Sequence, residues 1–305
     1  MKTTNIISLI CFLAIVMAAA FSPVQGDVLF VHDYTMDEYL LGQQKTQILF
    51  GYTKEKLYIN KNLRYTGSWM KRIFGKEKQE RETTHILLDK NIIREFDWFR
   101  SRITNYPLEK LCDVEALKEA AKKYTGADEI LAKRYKVKKP EFFLEIMPET
   151  IETGGYPCTH VKAELKLVTE DIKKKAKSIT IVTQDLWVSK EVPGFNQYRL
   201  FHEKLAKRVG LESQRLGTLT YILRYWQGSL APIREKLERV EGYPVKSIIS
   251  ITGAYIENID SDAPKENTLE IKKEIMILAD VNLDKIDINR FNPDAETPFG
   301  EITVK

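Results

Sequence analysis

Apolar and polar residues alternate through most of the chain after residue 26. The clearest case is the segment 156–168, where Val161, Ala163, Leu165 and Leu167 alternate with charged residues. A period of two is typical of a β-strand with one buried and one solvated face. Shorter segments of similar character predict further strands at 27–34, 46–52, 56–60, 62–69, 83–89, 92–99, 102–107, 141–146, 178–188, 243–258 and 268–283.

Turn-prone residues separate several of these strands by only a few positions. Asn60-Lys61-Asn62 and Asp89-Lys90-Asn91 do so in the N-terminal part, and Gly154-Gly155 does so later in the chain. Strands joined by such short connections form antiparallel meanders.

Helical periodicity interrupts the strands in two places. One helix is predicted to begin at Asp113 and another to cover Asn196–Val209. From Leu216 to Val240, apolar residues recur alternately three and four apart, which is a seam of coiled-coil type. We expect this seam to cover one face of the sheet, and a partner-binding helix is the alternative. The order of elements predicts an α+β fold with an antiparallel sheet and a helical insertion at about 194–242.

The N-terminus has the features of a secretory signal peptide. Lys2 precedes an apolar run from Ile6 to Phe21, which is short for a membrane span. Cleavage after Gly26 would make residues 1–26 the signal peptide and 27–305 a single domain, although cleavage after Ala20 is an alternative. We therefore expect an exported protein, periplasmic or extracellular. No later stretch is long and apolar enough to predict a transmembrane span.

Charge adds little about partners. The formal net charge is +4 over 305 residues, and basic and acidic residues are interspersed. A nucleic-acid surface would cluster lysine and arginine with exposed aromatic residues. The sequence therefore predicts no nucleic-acid partner.

Two cysteines, Cys112 and Cys158, follow the signal peptide. An even number in an exported chain favours one disulfide between them, while two buried free thiols or a reactive thiol are the alternatives. No CxxC or HxxxH spacing supports a metal site, so we expect neither a metal nor a cofactor.

Catalytic motifs were not found. The chain has no GxSxG nucleophile elbow, no HExxH and no phosphate-cradling glycine loop. Cys158 and His160 lie two apart on one predicted strand, where their side chains would share a face without adequate reach. We expect a protein that is not an enzyme, although a carboxylate pair on different strands needs no motif.

Four segments resemble a known family. Glu152–Val161 (ETGGYPCTHV) is similar to the "ETG…I-x-GYxCxxY" signature of the DUF4412 family of bacterial exported proteins, although its GGYPC spacing differs. Asp185–Gly194 resembles that family's "WV(T/S)…(I/L)PG" segment. Gly242–Ser247 resembles its "GxPxK" turn, and Phe291-Asn292-Pro293 resembles the "FxxP" close of the broader group.

This resemblance implies membership of the LolA/LolB-like group of periplasmic proteins. The implied fold is a strongly curved antiparallel half-barrel whose concave face is covered by helices and binds lipids or lipid-modified proteins. The expected function is a non-enzymatic envelope binding protein that holds a hydrophobic or lipid-bearing ligand in the half-barrel cavity. The alternative is a protein-interaction or envelope stress scaffold without a small ligand, whose contact surfaces for an envelope partner would be the seam and the basic segment Lys133–Lys139.

Aromatic and aliphatic residues on the predicted strands are the candidates to line such a cavity. For each of them the alternative is an ordinary place in the core, because sheet aromatics usually pack there. The candidates are Phe30, Phe50, Tyr58, Tyr65, Phe96, Phe143, Ile181, Trp187 and Ile249.

Overall fold

The computed structural model describes residues 27–39, 42–64, 79–98, 102–109, 134–209, 234–261, 265–283 and 301–304. Within these ranges nearly all regular structure is β-strand. The first group of strands is β1 (Val28–Glu38), β2 (Gly42–Tyr52), β3 (Lys56–Arg64), β4 (Gln79–Leu87), β5 (Ile92–Asp97) and β6 (Arg102–Pro107). The second group is β7 (Tyr135–Val137), β8 (Glu141–Thr153), β9 (Tyr156–Asp171), β10 (Ala176–Ser189), β11 (Tyr243–Glu257), β12 (Lys265–Leu283) and β13 (Glu301–Val304).

Two helices lie between β10 and β11 in the described part of the chain. They are α1 (Phe195–Arg208) and α2 (Arg234–Glu238), and both fall within the predicted insertion. No helix in the described ranges combines the length and the apolar character that crossing a bilayer would need.

The strands form one sheet made of two antiparallel meanders. Strands β1 to β6 are neighbours in chain order, and so are β9 to β12, with β7 and β8 both pairing with β9. The β1–β12 ladder joins the two meanders, from Val28 opposite Leu283 to Glu38 opposite Lys272. Only β13 runs parallel to its described neighbour, β6. The predicted antiparallel sheet is confirmed.

Alternation along the strands defines two faces of the sheet. Residues opposite each other on neighbouring antiparallel strands share a face. Phe30 lies opposite Phe50, which lies opposite Ile59, and this side is here named the Phe30 face. Tyr58 and the residues opposite it on the neighbouring strands lie on the reverse side, here named the Tyr58 face.

Most of the core covers the Phe30 face. One hydrophobic cluster lies beneath α1, which contributes Phe195, Tyr198 and Phe201. A second cluster, on β9 to β11, is contacted by Leu237 of α2 and by Val240, each 1% exposed. The described end of the predicted seam is therefore buried against the sheet. A continuous helical cover over this face is not confirmed, because residues 210–233 lie outside the described part.

The Tyr58 face differs between the two meanders. In the first it is buried around β3 to β5, where Tyr58 and Leu87 pack together with Leu49 and Ile92. In the second it is open, as the 55% exposure of Phe143 demonstrates.

Of two predicted turns, one is confirmed and the other is wrong. The turn at 89–91 is confirmed, with Asn91 at a φ of 56°. The turn at Asn60-Lys61-Asn62 is wrong, because these residues continue β3 and pair with β4. The predicted helix at Asp113 and the signal peptide 1–26 lie outside the described residues.

Candidate ligand-binding site

Polar side chains occupy part of the Phe30 face. One line of directly opposed residues crosses five neighbouring strands from β2 to β10, and Ser247 lies in the next line. The residues of the first line are Gln44, Met36, Glu274, Ile249 and Gln184. We name Gln44, Glu274, Gln184 and Ser247 the polar row. At the usual spacing of neighbouring strands it spans about 19 Å.

The glutamines of the polar row are buried without a full set of hydrogen bonds. Gln44 is 1% exposed and Gln184 is 2% exposed. Gln184 Nε2 donates to Ser247 Oγ at 3.0 Å. Gln184 Oε1 and both polar atoms of the Gln44 amide have no hydrogen-bond partner among the described residues. Burying such a group unsatisfied costs about 1–3 kcal/mol, so a molecule that supplied the missing partners would be stabilised there.

Glu274 is the charged member of the polar row. Its side chain is 3% exposed, and Oε1 lies 2.6 Å from Nζ of Lys272, whose side chain is 20% exposed. A buried carboxylate needs such a partner, because removing a lone charge from water is unfavourable. The pair therefore brings hydrogen-bonding capacity to the row without an isolated charge.

A small pocket lies beside the polar row. A pocket of about 10 Å³ lies between Ser247, Glu274 and three apolar or aromatic neighbours, Tyr34, Ile249 and Met276. That volume is roughly enough for one water molecule. A larger ligand exceeds the volume of this pocket.

An aromatic cluster under α1 borders the polar row. Tyr243 stacks on Phe30 with ring centroids 3.8 Å apart. The Tyr243 hydroxyl lies 3.3 Å from His32 Nε2, and the ring of Tyr198 meets that of Tyr243 edge-on at 5.0 Å. Burial lowers the pKa of His32 to about 4, so its imidazole is neutral at pH 7. The cluster is therefore uncharged.

The predicted cavity residues are not brought together. Phe30, Phe50 and Ile249 lie on the Phe30 face, and Tyr65 lies outside the described residues. The others occupy the opposite side of the sheet and cannot share a cavity with Phe30. These are Tyr58, Phe96, Phe143, Ile181 and Trp187.

Trp187 belongs to a stack on the Tyr58 face. His160 lies parallel to its indole ring, with centroids 4.4 Å apart and planes at 2°. Lys246 Nζ lies over the indole at 4.7 Å, and His160 Nε2 is 2.9 Å from Asp185 Oδ1. The indole is thus already engaged by cross-strand neighbours.

Cys158 is the described member of the predicted disulfide, whose pairing stays a prediction. It is a free, fully buried thiol, and its S–H donates to the carbonyl oxygen of Thr153 at 3.8 Å. Burial raises the pKa of the thiol, which keeps it protonated and poorly nucleophilic. Cys112 lies outside the described residues. No group of three or more histidine, cysteine or acidic residues could hold a metal ion within the described ranges.

The polar row was missed in the sequence, yet one signal for it was present. Gln184 lies between Val182 and Leu186 in an alternating strand, at a position where the pattern calls for an apolar residue. A polar residue at such a position marks either a buried hydrogen bond or a binding site.

Comparison with known proteins gives no family assignment. No family profile matches the sequence, and no curated protein matches it. The resemblance to DUF4412 is therefore not supported.

Three solved structures share only a distant likeness with this chain. "PNGF-II" has a TM-score of 0.33 and 13% identity, covering 91% of this chain, which spans only 31% of that protein. A putative outer membrane lipoprotein-sorting protein domain from Vibrio parahaemolyticus has a TM-score of 0.28 and 6% identity, covering 91% of this chain and 94% of its own. A DUF1329 family protein from Desulfovibrio piger has a TM-score of 0.22 and 9% identity, covering 94% and 97%. TM-scores this low support no inference about this chain.

Proposed function

We propose that this protein is an exported, non-enzymatic binding protein that holds a hydrophobic or lipid-bearing ligand against the Phe30 face. The observation that carries the proposal is the burial of Gln44 and Gln184 with unsatisfied amide atoms in a largely apolar surface. In this function the polar row hydrogen-bonds the polar part of the ligand, and the flanking apolar residues contact its hydrocarbon.

The composition of the face supports an amphipathic ligand over a fully polar one. Met36, Ile249 and Met276 separate the polar side chains, and the hydrophobic clusters lie on either side. Small-molecule sites are mostly apolar with a few placed polar groups, which is the composition found here. A purely polar ligand would leave most of this surface without a matching contact.

A first experiment asks what co-purifies with the protein. The mature chain would be purified under mild conditions and extracted with organic solvent, and the extract would be analysed by mass spectrometry. We expect a stoichiometric amphiphile. A clean extract, together with no thermal stabilisation by added fatty acids or phospholipids, would refute the proposal.

Substitutions then locate the ligand. Gln44→Leu and Gln184→Leu remove the unsatisfied amides and keep an apolar side chain of similar size. Gln47→Leu is the matched control, because Gln47 lies on the opposite face of β2 and hydrogen-bonds Asp33. We expect each of the first two variants to retain at least about five-fold less ligand, since a hydrogen bond contributes about 1 kcal/mol. Equal retention in all three variants would place the ligand elsewhere.

A second candidate function is a protein-interaction scaffold. It is favoured by the open part of the Tyr58 face, where Phe143 is 55% exposed and Ile277 is 39% exposed. Both residues lie on the same face of the sheet, so one partner could contact both of them. Phe143→Ser and Ile277→Ser should then abolish the binding of an envelope protein and leave any bound lipid in place.

A further inference from the structure

One corner of the sheet carries an excess of basic residues. There the end of β9, its turn into β10 and the short strand β7 lie side by side. Ile172 N donates to Arg134 O at 2.9 Å, and Ile259 N donates to Lys175 O at 3.0 Å, which brings the β11–β12 turn alongside. We name residues 134–139, 170–177 and 257–261 the basic corner.

The charge of the basic corner is concentrated. It has eight basic and four acidic residues, a net charge of +4, which equals the formal charge of the whole chain. The remainder of the protein is therefore neutral in sum. An uneven distribution of this kind directs an anionic partner to one place on the surface.

The acidic residues of the corner are largely engaged already. Asp171 accepts from Arg134 Nη2 at 2.8 Å, and Lys138 Nζ lies 2.5 Å from Glu170. These partners lower the pKa of both carboxyl groups, so both remain ionised at neutral pH. Asp260 pairs with Lys175 at 3.0 Å.

Several lysines of the corner make no ion pair within the described residues. They are Lys136, Lys139, Lys173, Lys174 and Lys177. All but Lys177 are exposed. Their charges are therefore available to an external anion.

Apolar side chains project among these lysines. Ile172 is 59% exposed at the β9–β10 turn, and Val137 is 64% exposed on β7. Both lie within two residues of an exposed lysine along the chain. Basic residues around exposed apolar ones are the combination that attaches proteins to the interface of anionic membranes.

We propose that the basic corner binds the surface of an anionic lipid bilayer. The lysines contact lipid phosphates, and Ile172 and Val137 enter the headgroup region. A nucleic acid or an acidic protein would also attract the lysines, but neither gives a reason for exposing Ile172 beside them. The corner lies at the strand ends and apart from the polar row, so this inference does not depend on the proposed function.

The experiment measures binding of the chain from Asp27 onward to vesicles. Co-sedimentation would use phosphatidylcholine vesicles with and without 30% phosphatidylglycerol, at about 0.1 M and about 0.5 M salt. The variants are Lys173→Gln/Lys174→Gln and Ile172→Ser. The matched control is Lys90→Gln/Lys207→Gln, which removes two exposed lysines near the opposite ends of the strands.

We expect binding only to the anionic vesicles, and weaker binding at high salt. The Lys173/Lys174 variant should bind about twenty-five-fold more weakly, from about five-fold per lysine, and the control should bind like the unmodified chain. Ile172→Ser should weaken binding at least about three-fold at either salt concentration. Binding to soluble heparin or DNA that exceeds vesicle binding, or equal losses in the control, would overturn the proposal.

Discussion

The side-chain amide of Gln184 donates to the hydroxyl oxygen of Ser247 at 3.0 Å, while its own carbonyl oxygen is buried without a donor. One half of this amide is thus satisfied by the protein and the other half is not. The pair joins β10 to β11 in the interior of the sheet, where an apolar pair would serve stability at least as well. A polar pair in such a place is consistent with a function other than folding.

This pair predicts opposite effects for its two members. Ser247→Ala should lower the free energy of unfolding by about 1–2 kcal/mol, because Gln184 then loses its one acceptor. Gln184→Leu should leave that free energy unchanged or raise it by up to about 1 kcal/mol, because an unsatisfied group is removed. Urea denaturation of the ligand-free protein measures both. A loss above 2 kcal/mol in Gln184→Leu would contradict the assignment of an unsatisfied amide.

Stability should be sensitive to substitution of Gly194, which precedes α1. Its φ is 83°, and a Cβ there would lie 2.4 Å from Cγ2 of Val28. Gly194→Ala should destabilise by about 3 kcal/mol or more, because left-handed strain and a clash in the core combine. Gly155 is the control, with a φ of 79° and nothing within 4 Å of the added Cβ, so Gly155→Ala should cost only about 1 kcal/mol.

The measurement is the thermal midpoint of each variant, with Val28→Ala added to Gly194→Ala as a rescue. Removing the methyl groups of Val28 should recover part of the loss. Equal midpoints for the two glycine variants would show that the clash is relieved without cost.

Three histidines of the core and its edge predict a stability that falls in mild acid. The pKa values of His32 and His202 are lowered to about 4, and that of His85 to about 3, mainly by burial. The unfolded chain, with pKa values near 6.5, therefore binds more protons than the folded chain between about pH 4 and pH 6.5. The free energy of unfolding should fall by about 1–2 kcal/mol per histidine from pH 7 to pH 5.

Urea denaturation at the two pH values tests this slope. His202→Gln keeps an acceptor for the Tyr52 hydroxyl, which lies 3.3 Å from His202 Nε2. That variant should lose correspondingly less stability between pH 7 and pH 5. An unfolding free energy that does not change over this range would exclude the buried neutral histidines.

We expect the buried thiol of Cys158 to be protected from alkylation in the folded protein. Without reductant, iodoacetamide should leave Cys158 unmodified in the folded protein and alkylate it after unfolding in urea, because the side chain is fully buried. Peptide mapping by mass spectrometry separates Cys158 from Cys112. Alkylation only after reduction would instead establish the disulfide that the cysteine count predicted.

The local sequence pattern predicts most of the strands but does not predict the polar row. The segment 102–107 was predicted with the bounds it has, and β9 follows from the alternation of Val161 to Leu167. The predicted turn at Asn60-Lys61-Asn62 is wrong because residue types alone favour a turn there. Pairing with β4 holds these residues in an extended conformation instead. Thr83 Oγ1 donates to the buried Asn60 side chain at 3.4 Å, a contact that local sequence does not reveal.

The polar row depends on register rather than on local pattern. Gln44 and Gln184 belong to one line only because four successive ladders align β2, β1, β12, β11 and β10. A shift of one residue in any ladder would move a side chain to the other face. For the same reason the aromatic candidates divided between the faces, since hydrophobicity alone does not say on which side of the sheet a residue lies.

Pairing of the first described strand with the last strand of the second meander affects when this protein can fold. Strand β1 pairs with β12 along its whole length, so the centre of the sheet stays incomplete until residues 265–283 have left the ribosome. Contacts this distant along the chain make folding slow, on the order of milliseconds to seconds for β-rich domains. The central ladder of the sheet can therefore form only after most of the chain has been synthesised.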